Sequence, residues 1–72
     1  MIPEQIIKFA RYHYGNKGWI ATDDDGTTYW YACKPFSDWI VWNWGESAGR
    51  VKLICTQTEL SETLWNKSLV KL

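Results

Sequence analysis

The sequence predicts a single α+β domain over residues 1–72, in which an N-terminal helix packs on a four-stranded antiparallel β-meander. Apolar residues recur at helical spacing near the start of the chain. Runs rich in β-branched and aromatic residues follow, separated by turn residues. A chain of 72 residues is also too short for two domains. The C-terminal tail is expected to add a short helical turn or an arm.

The first element is predicted as a helix from Pro3 to Tyr14. One face of this helix carries residues spaced by three and four positions: Ile2, Ile6, Phe9, Ala10 and His13. Proline suits the first turn of a helix, and Gly15 supplies a residue type that commonly ends one. The apolar face is therefore expected to lie on the sheet.

Four strands are predicted in the middle of the chain, over residues 19–22, 27–33, 39–44 and 50–55. Between the first two, the pair Asp25-Gly26 tolerates the positive φ angles of a tight hairpin. Pro35 cannot donate a ladder hydrogen bond, so the second strand is expected to end before it. Consecutive antiparallel strands then form the meander.

The tail from Thr56 onward fits two structures. Several leucines and Trp65 follow helical steps, and Thr56 with Glu59 has the spacing of a capping box, which favours a helical turn around Trp65. Residues 68–72 would also serve as a short strand or an extended arm. The sequence leaves both structures open.

Charge and composition argue against several classes of protein. Eight basic residues balance eight acidic ones, so no net field attracts nucleic acid or an anionic membrane. No apolar run approaches the roughly 20 residues of a membrane span, and the start of the chain lacks the pattern of a signal peptide. We therefore expect a cytoplasmic protein whose two cysteines, Cys33 and Cys55, are reduced and buried.

No catalytic, cofactor or metal site is predicted. The acidic run Asp23–Asp25 suggests a calcium loop, but an EF-hand with Gly26 at its glycine position would need ligands at Ala21 and Ala32. Those side chains carry no oxygen, so the run is interpreted as a solvated turn. The one histidine, His13, falls within the helix pattern and belongs to no catalytic motif. The sequence therefore predicts a protein that is not an enzyme.

Aromatic residues make up 17% of the chain and are its most informative feature. A single helix covers one face of a sheet, so aromatic side chains on the other face are expected to stay exposed unless the tail folds over them. Tryptophan is enriched among the residues that dominate protein-binding energy. The candidate protein-binding anchors are Trp30, Trp39, Trp42 and Trp44.

The run from Gly18 to Trp39 resembles part of a WW domain. Trp19 and Trp39 have the spacing of the two tryptophans of that domain, and Asp25-Gly26 with Tyr29–Tyr31 follows its turn and strand pattern. The resemblance implies antiparallel pairing of the strands in this region.

A longer pattern resembles the small proteins encoded by tailed phages and prophages. Its parts are an N-terminal helix, the hairpin at Asp23–Gly26, the strand Tyr29–Tyr31, Lys34-Pro35, a tryptophan-rich strand and the final Trp65–Leu69. Such proteins are compact accessory proteins that often bind and block a host enzyme or defence complex, as anti-CRISPR and anti-restriction proteins do. The resemblance implies a non-enzymatic inhibitor of a host or defence-system protein, acting in the cytoplasm of the infected bacterium.

A single-stranded nucleic-acid-binding module is the alternative function. Strand aromatics can stack on bases while neighbouring cations meet phosphates, and the cations placed for this role are Lys34, Arg50 and Lys52. An exposed aromatic surface and the edge of the fourth strand also favour a homodimer. No membrane partner is expected.

Overall fold

One helix and a four-stranded antiparallel sheet form the framework of the chain, which confirms the predicted α+β class. The computed structural model describes residues 2–37, 42–43, 50–59 and 65–72. In chain order, the elements are α1 (Glu4–Tyr14), β1 (Trp19–Thr22), β2 (Thr28–Tyr31), β3 (Phe36–Ser37), β4 (Trp42–Asn43), β5 (Val51–Cys55), a 3₁₀ turn (Trp65–Lys67) and β6 (Val70–Lys71).

Helix α1 follows Pro3 and ends at Tyr14, in agreement with the predicted bounds. The Gly15 N–H donates to the Arg11 carbonyl at 2.8 Å. Gly15 has a φ of 68°, a left-handed conformation that glycine adopts without a steric penalty. The chain therefore leaves the helix at the predicted break.

Strands β1 and β2 form the predicted hairpin. In the turn between them, the Gly26 N–H donates to the Asp23 carbonyl at 3.0 Å, and the Thr27 N–H donates to Asp25 Oδ1 at 2.9 Å. The hydrogen bond from the Thr27 backbone favours the charged carboxylate and holds the pKa of Asp25 below its usual value. The acidic run therefore forms the predicted turn, although Asp23 is buried and not solvated as predicted.

The strand order of the main sheet is β5-β2-β1-β6, which differs from the predicted meander. The hairpin offers two outer edges, and β5 takes the edge of β2 while β6 takes the edge of β1. No outer edge of the hairpin is left for β4. The described part of the predicted third strand, β4, pairs instead with β3 in a separate two-stranded sheet.

The tail combines the two structures that its sequence allows. The predicted helical turn is the 3₁₀ turn Trp65–Lys67, and the strand β6 follows it. Ser68, which lies between them, accepts a hydrogen bond from the Thr22 N–H at 2.9 Å and donates one to the Trp65 carbonyl at 2.6 Å. These bonds hold the tail along the edge of β1.

The main core lies between α1 and one face of the sheet. Its buried residues are Ile2, Ala10, Ile20, Trp30 and Leu72. The indole of Trp30 stacks on the ring of Tyr14, with 4.2 Å between ring centroids and 10° between planes. This stack brings the end of α1 onto β2.

The stack also sets the rotation of α1 about its axis. The helix packs on the core through Ile6, Ala10 and Tyr14, which recur at steps of four. Phe9 and His13 are consequently exposed, so their predicted position on the buried face is wrong. The spacing of apolar residues is compatible with a helix that buries Phe9 and His13 and with one that buries Tyr14. The contact between Tyr14 and Trp30 selects the second.

A smaller core lies on the opposite face of the sheet. Its members are Ala21, Tyr29, Tyr31, Trp65 and Leu69. Trp65 and Leu69 belong to the tail, which therefore covers part of the face that one helix leaves open. Burial, with a smaller contribution from the Asp23 charge, raises the pKa of the Tyr31 phenol above its usual value.

A chain of side-chain hydrogen bonds connects the hairpin to the end of β5. Thr28 Oγ1 lies 2.7 Å from Thr22 Oγ1 and 2.8 Å from Thr58 Oγ1. Thr58 Oγ1 in turn lies 3.2 Å from Cys55 Sγ. Because Thr22 and Thr28 are fully buried, these bonds replace the hydration that both hydroxyls lose on folding.

The substitution Thr28→Val is expected to destabilise the domain by about 1–3 kcal/mol, because the hydroxyls on both sides lose a hydrogen bond in a buried site. Urea denaturation followed by tryptophan fluorescence measures the change. Thr27→Val, at the half-buried neighbouring position, is the matched control. Equal unfolding midpoints for the two variants would contradict this role of the hydroxyl.

Candidate functional site

The four tryptophans predicted as anchors differ in their positions. Trp30 is 6% exposed and packs against Tyr14, so the prediction that it offers an exposed contact is wrong. Trp42 lies in β4 of the small sheet. Trp39 and Trp44 lie outside the described residues. The binding role of these three tryptophans stays a prediction.

Aromatic residues are exposed on α1 instead. The exposed fraction is 48% for Phe9 and 86% for Tyr12, and His13 beside them is also exposed. The imidazole centroid lies 4.4 Å from the Phe9 ring centroid and 5.3 Å from that of Tyr12. We call these three residues the helix ridge. It is a contiguous aromatic surface on the solvent side of the helix.

A groove of about 250 Å³ separates α1 from β5. Its lining consists of Gln5, Ile6, Phe9, Ile54 and Cys55. Phe9 therefore belongs to both the helix ridge and this α1–β5 groove. The lining is mainly apolar, with one amide and one thiol as its polar side-chain groups.

Strand β5 is at one edge of the described four-stranded sheet. Lys52 lies opposite Trp30 and therefore on the face that carries the helix, because directly opposed residues share a face. Val51 and Leu53 project from the other face and are 44% and 58% exposed. Apolar surface thus flanks both sides of β5.

The cations of the alternative function, Lys34, Arg50 and Lys52, are all exposed. Stacking on a base would require a neighbouring aromatic ring with a free face. Trp30 is the aromatic residue opposite Lys52, and its face is occupied by Tyr14. Trp30 therefore offers no free ring face to a base, and the binding of single-stranded nucleic acid stays a prediction. The exposed cations can meet acidic groups.

The two cysteines lie in different surroundings. Both cysteines are free thiols, and Cys55 is half-buried in the groove. Cys33 is exposed, so its predicted burial is wrong: it follows the end of β2 and lies outside both cores. Within the described ranges, no three His, Cys, Asp or Glu side chains are grouped to hold a metal ion, and no helix is long and apolar enough to cross a membrane.

The sequence prediction missed Phe9 and Tyr12 as surface residues. Phe9 fits the helical period of the core residues, which placed it on the buried side. Tyr12 carries a signal that could have been used, since it follows Arg11 and lies four residues after Lys8. A large aromatic residue among charges on the solvent face of a helix indicates a contact surface.

Comparison with protein-family models, with curated proteins and with solved structures found no match. The geometry of the surface is therefore the basis for a functional assignment. An apolar groove lies at its centre, with the helix ridge on one side and the edge of β5 on the other.

Proposed function

We propose that this domain is a non-enzymatic protein-binding module that contacts its partner through the α1–β5 groove and the helix ridge. The observation that carries the proposal is Phe9, which is 48% exposed while it lines an apolar groove. Large exposed aromatic residues in apolar patches are typical of protein interfaces, where a few such residues supply most of the binding energy.

The size of the groove favours a protein side chain as its occupant. Its volume is about 250 Å³, whereas pockets for drug-sized ligands generally measure about 300–1,000 Å³. Ile6 and Ile54 give the groove apolar walls, so an apolar side chain of a partner would be desolvated there. Tyr12 on the adjoining ridge would extend the contact beyond the groove.

The partner in this proposal is a host or defence-system protein in the cytoplasm of an infected bacterium. The pattern from the hairpin at Asp23–Gly26 to the final Trp65–Leu69 supports this class, because it resembles the small accessory proteins of tailed phages and prophages, which often block host proteins. Eight basic and eight acidic residues give no net charge. Association would then depend on apolar contact more than on long-range attraction.

Replacing Phe9 with serine is expected to weaken partner binding about 30-fold or more, the effect of losing a dominant interface contact. Affinity capture from the host identifies the partner, and calorimetry with the purified pair measures the affinity. The control is Phe36→Ser, because Phe36 is 57% exposed in β3 and does not line the groove. Unchanged binding of Phe9→Ser, or an equal loss in both variants, would count against the groove.

The two free thiols provide a second measurement on the unmodified protein. Cys55 lines the groove, so partner binding is expected to slow its reaction with a maleimide. Cys33 is exposed outside the groove and acts as the internal control. A Cys55 rate that stays constant at saturating partner would place the contact elsewhere on the domain.

A further inference from the structure

Strand β5 has no neighbouring strand on its outer side among the described residues, and its backbone groups alternate between that side and β2. Hydrogen-bonded and non-hydrogen-bonded residue pairs alternate along an antiparallel ladder. The Ala32 N–H donates to the Arg50 carbonyl at 3.0 Å, and the same register continues through Lys52. The backbone groups of Arg50 and Lys52 therefore point to β2, whereas those of Val51 and Leu53 point away from the sheet. The edge offers N–H and C=O groups to another strand.

The side chains along β5 alternate between apolar and basic residues. Val51 and Leu53 present apolar surface on one face and are 44% and 58% exposed. Lys52 and, by the same alternation, Arg50 present exposed cations on the other face. A complementary strand would carry apolar residues toward the first face and acidic residues toward the second.

We infer that the β5 edge binds an extended segment of the partner protein, with alternating apolar and acidic residues, by adding it to the sheet as a further strand. This inference rests on the proposed protein-binding function and specifies the partner segment. Main-chain hydrogen bonds to Val51 and Leu53 would supply affinity, and the alternation of side chains would supply specificity. The adjacent α1–β5 groove would receive a side chain from outside that strand.

Charge favours such a segment over a second copy of this chain. If two β5 edges paired antiparallel about Lys52, the two lysines would face each other, which is destabilising. Pairing about Leu53 avoids that contact but places each Lys52 beside an Ile54, with no opposite charge. An acidic partner strand neutralises Lys52 and Arg50 together.

Amide hydrogen exchange with a short peptide of alternating valine and glutamate tests the inference. We expect the amides of Val51 and Leu53 to exchange at least about tenfold more slowly when the peptide is bound. The Lys52 amide, already directed to β2, should change little. A peptide of alternating valine and lysine is the matched control and should bind at least about fivefold more weakly.

Two variants separate the backbone contribution from the charge contribution. Val51→Pro removes an outward N–H at the first residue of the strand and should reduce the protection of the Leu53 amide, whereas Val51→Ala should retain most of it. Lys52→Glu should remove the preference for the acidic peptide, because the new carboxylate offsets the remaining charge of Arg50. If circular dichroism shows that Val51→Pro is unfolded, the Lys52→Glu variant still tests the inference.

Three results would overturn strand addition at β5. They are unchanged exchange at Val51 and Leu53, equal affinity for the two peptides, and protection that appears without peptide as the protein concentration rises. The last result would identify a second copy as the occupant. If Phe9→Ser loses partner binding while the peptide leaves the exchange of Val51 and Leu53 unchanged, the proposed function is retained and this inference alone is rejected.

Discussion

Replacing Trp30 with alanine is expected to destabilise the domain by about 3–5 kcal/mol, enough to unfold much of the population. The side chain is 6% exposed, and its ring stacks on Tyr14 across the interface between helix and sheet. Its Nε1–H also donates to the Lys17 carbonyl at 3.1 Å, so truncation removes a hydrogen bond along with the packing. The free energy of unfolding of a small domain is only a few kcal/mol, so a loss of this size is a large fraction of it.

Urea denaturation with circular dichroism at the helix band measures this effect. Trp30→Phe keeps an aromatic ring for Tyr14 and should cost clearly less than the alanine variant. Tyr12→Ala truncates an aromatic residue that is 86% exposed, and we expect a change within about 0.5 kcal/mol. Similar losses in the Trp30 and Tyr12 alanine variants would contradict the assignment of Trp30 to the core.

Gly18→Ala is expected to cost about 2–5 kcal/mol. A Cβ at this position would lie 2.5 Å from Trp30 Nε1 and 2.6 Å from the Tyr31 carbonyl oxygen, closer than atoms can approach. The indole is held in the core and the carbonyl belongs to β2, so neither can move freely. The φ of 89° adds strain for any residue with a Cβ.

Gly15→Ala is the matched control for this prediction. Gly15 also has a positive φ, at 68°, but a Cβ there would meet nothing within 4 Å. Its substitution should therefore cost only the backbone strain of a φ of 68° with a ψ of −148°, on the order of 1–3 kcal/mol. Equal denaturation midpoints for the two alanine variants would show that the close approach of Gly18 to Trp30 has no energetic effect.

Trp30 and Gly18 also affect the candidate site, although neither lines it. The stack of Trp30 on Tyr14 fixes the rotation of α1, and that rotation exposes Phe9 beside β5. A folded variant with a looser stack, such as Trp30→Phe, should therefore weaken partner binding as well as stability. The loss in binding free energy, divided by the loss in the free energy of unfolding, measures how strongly the groove depends on the stack of Trp30 on Tyr14.

The sequence alone was sufficient to predict the elements that depend on near neighbours in the chain. The spacing of apolar residues and Gly15 determined α1, and Asp25-Gly26 determined the turn of the hairpin. Local helical spacing favoured the turn at Trp65 but left a strand over residues 68–72 open, and the structure contains both. In each case the deciding interactions span only a few residues, so they can be found by inspecting a short window.

The tertiary structure decided which distant strands pair and which aromatic residues are buried. Residues 39–44, 50–55 and 68–72 all have strand-like patterns. Among the described strands, β5 and β6 complete the hairpin sheet. The same competition buried Trp30 and exposed Phe9 beside the α1–β5 groove, a candidate site that was not predicted from the sequence. Apolar burial is non-directional, so several pairings satisfy a local pattern equally well, and only packing of the whole chain selects one.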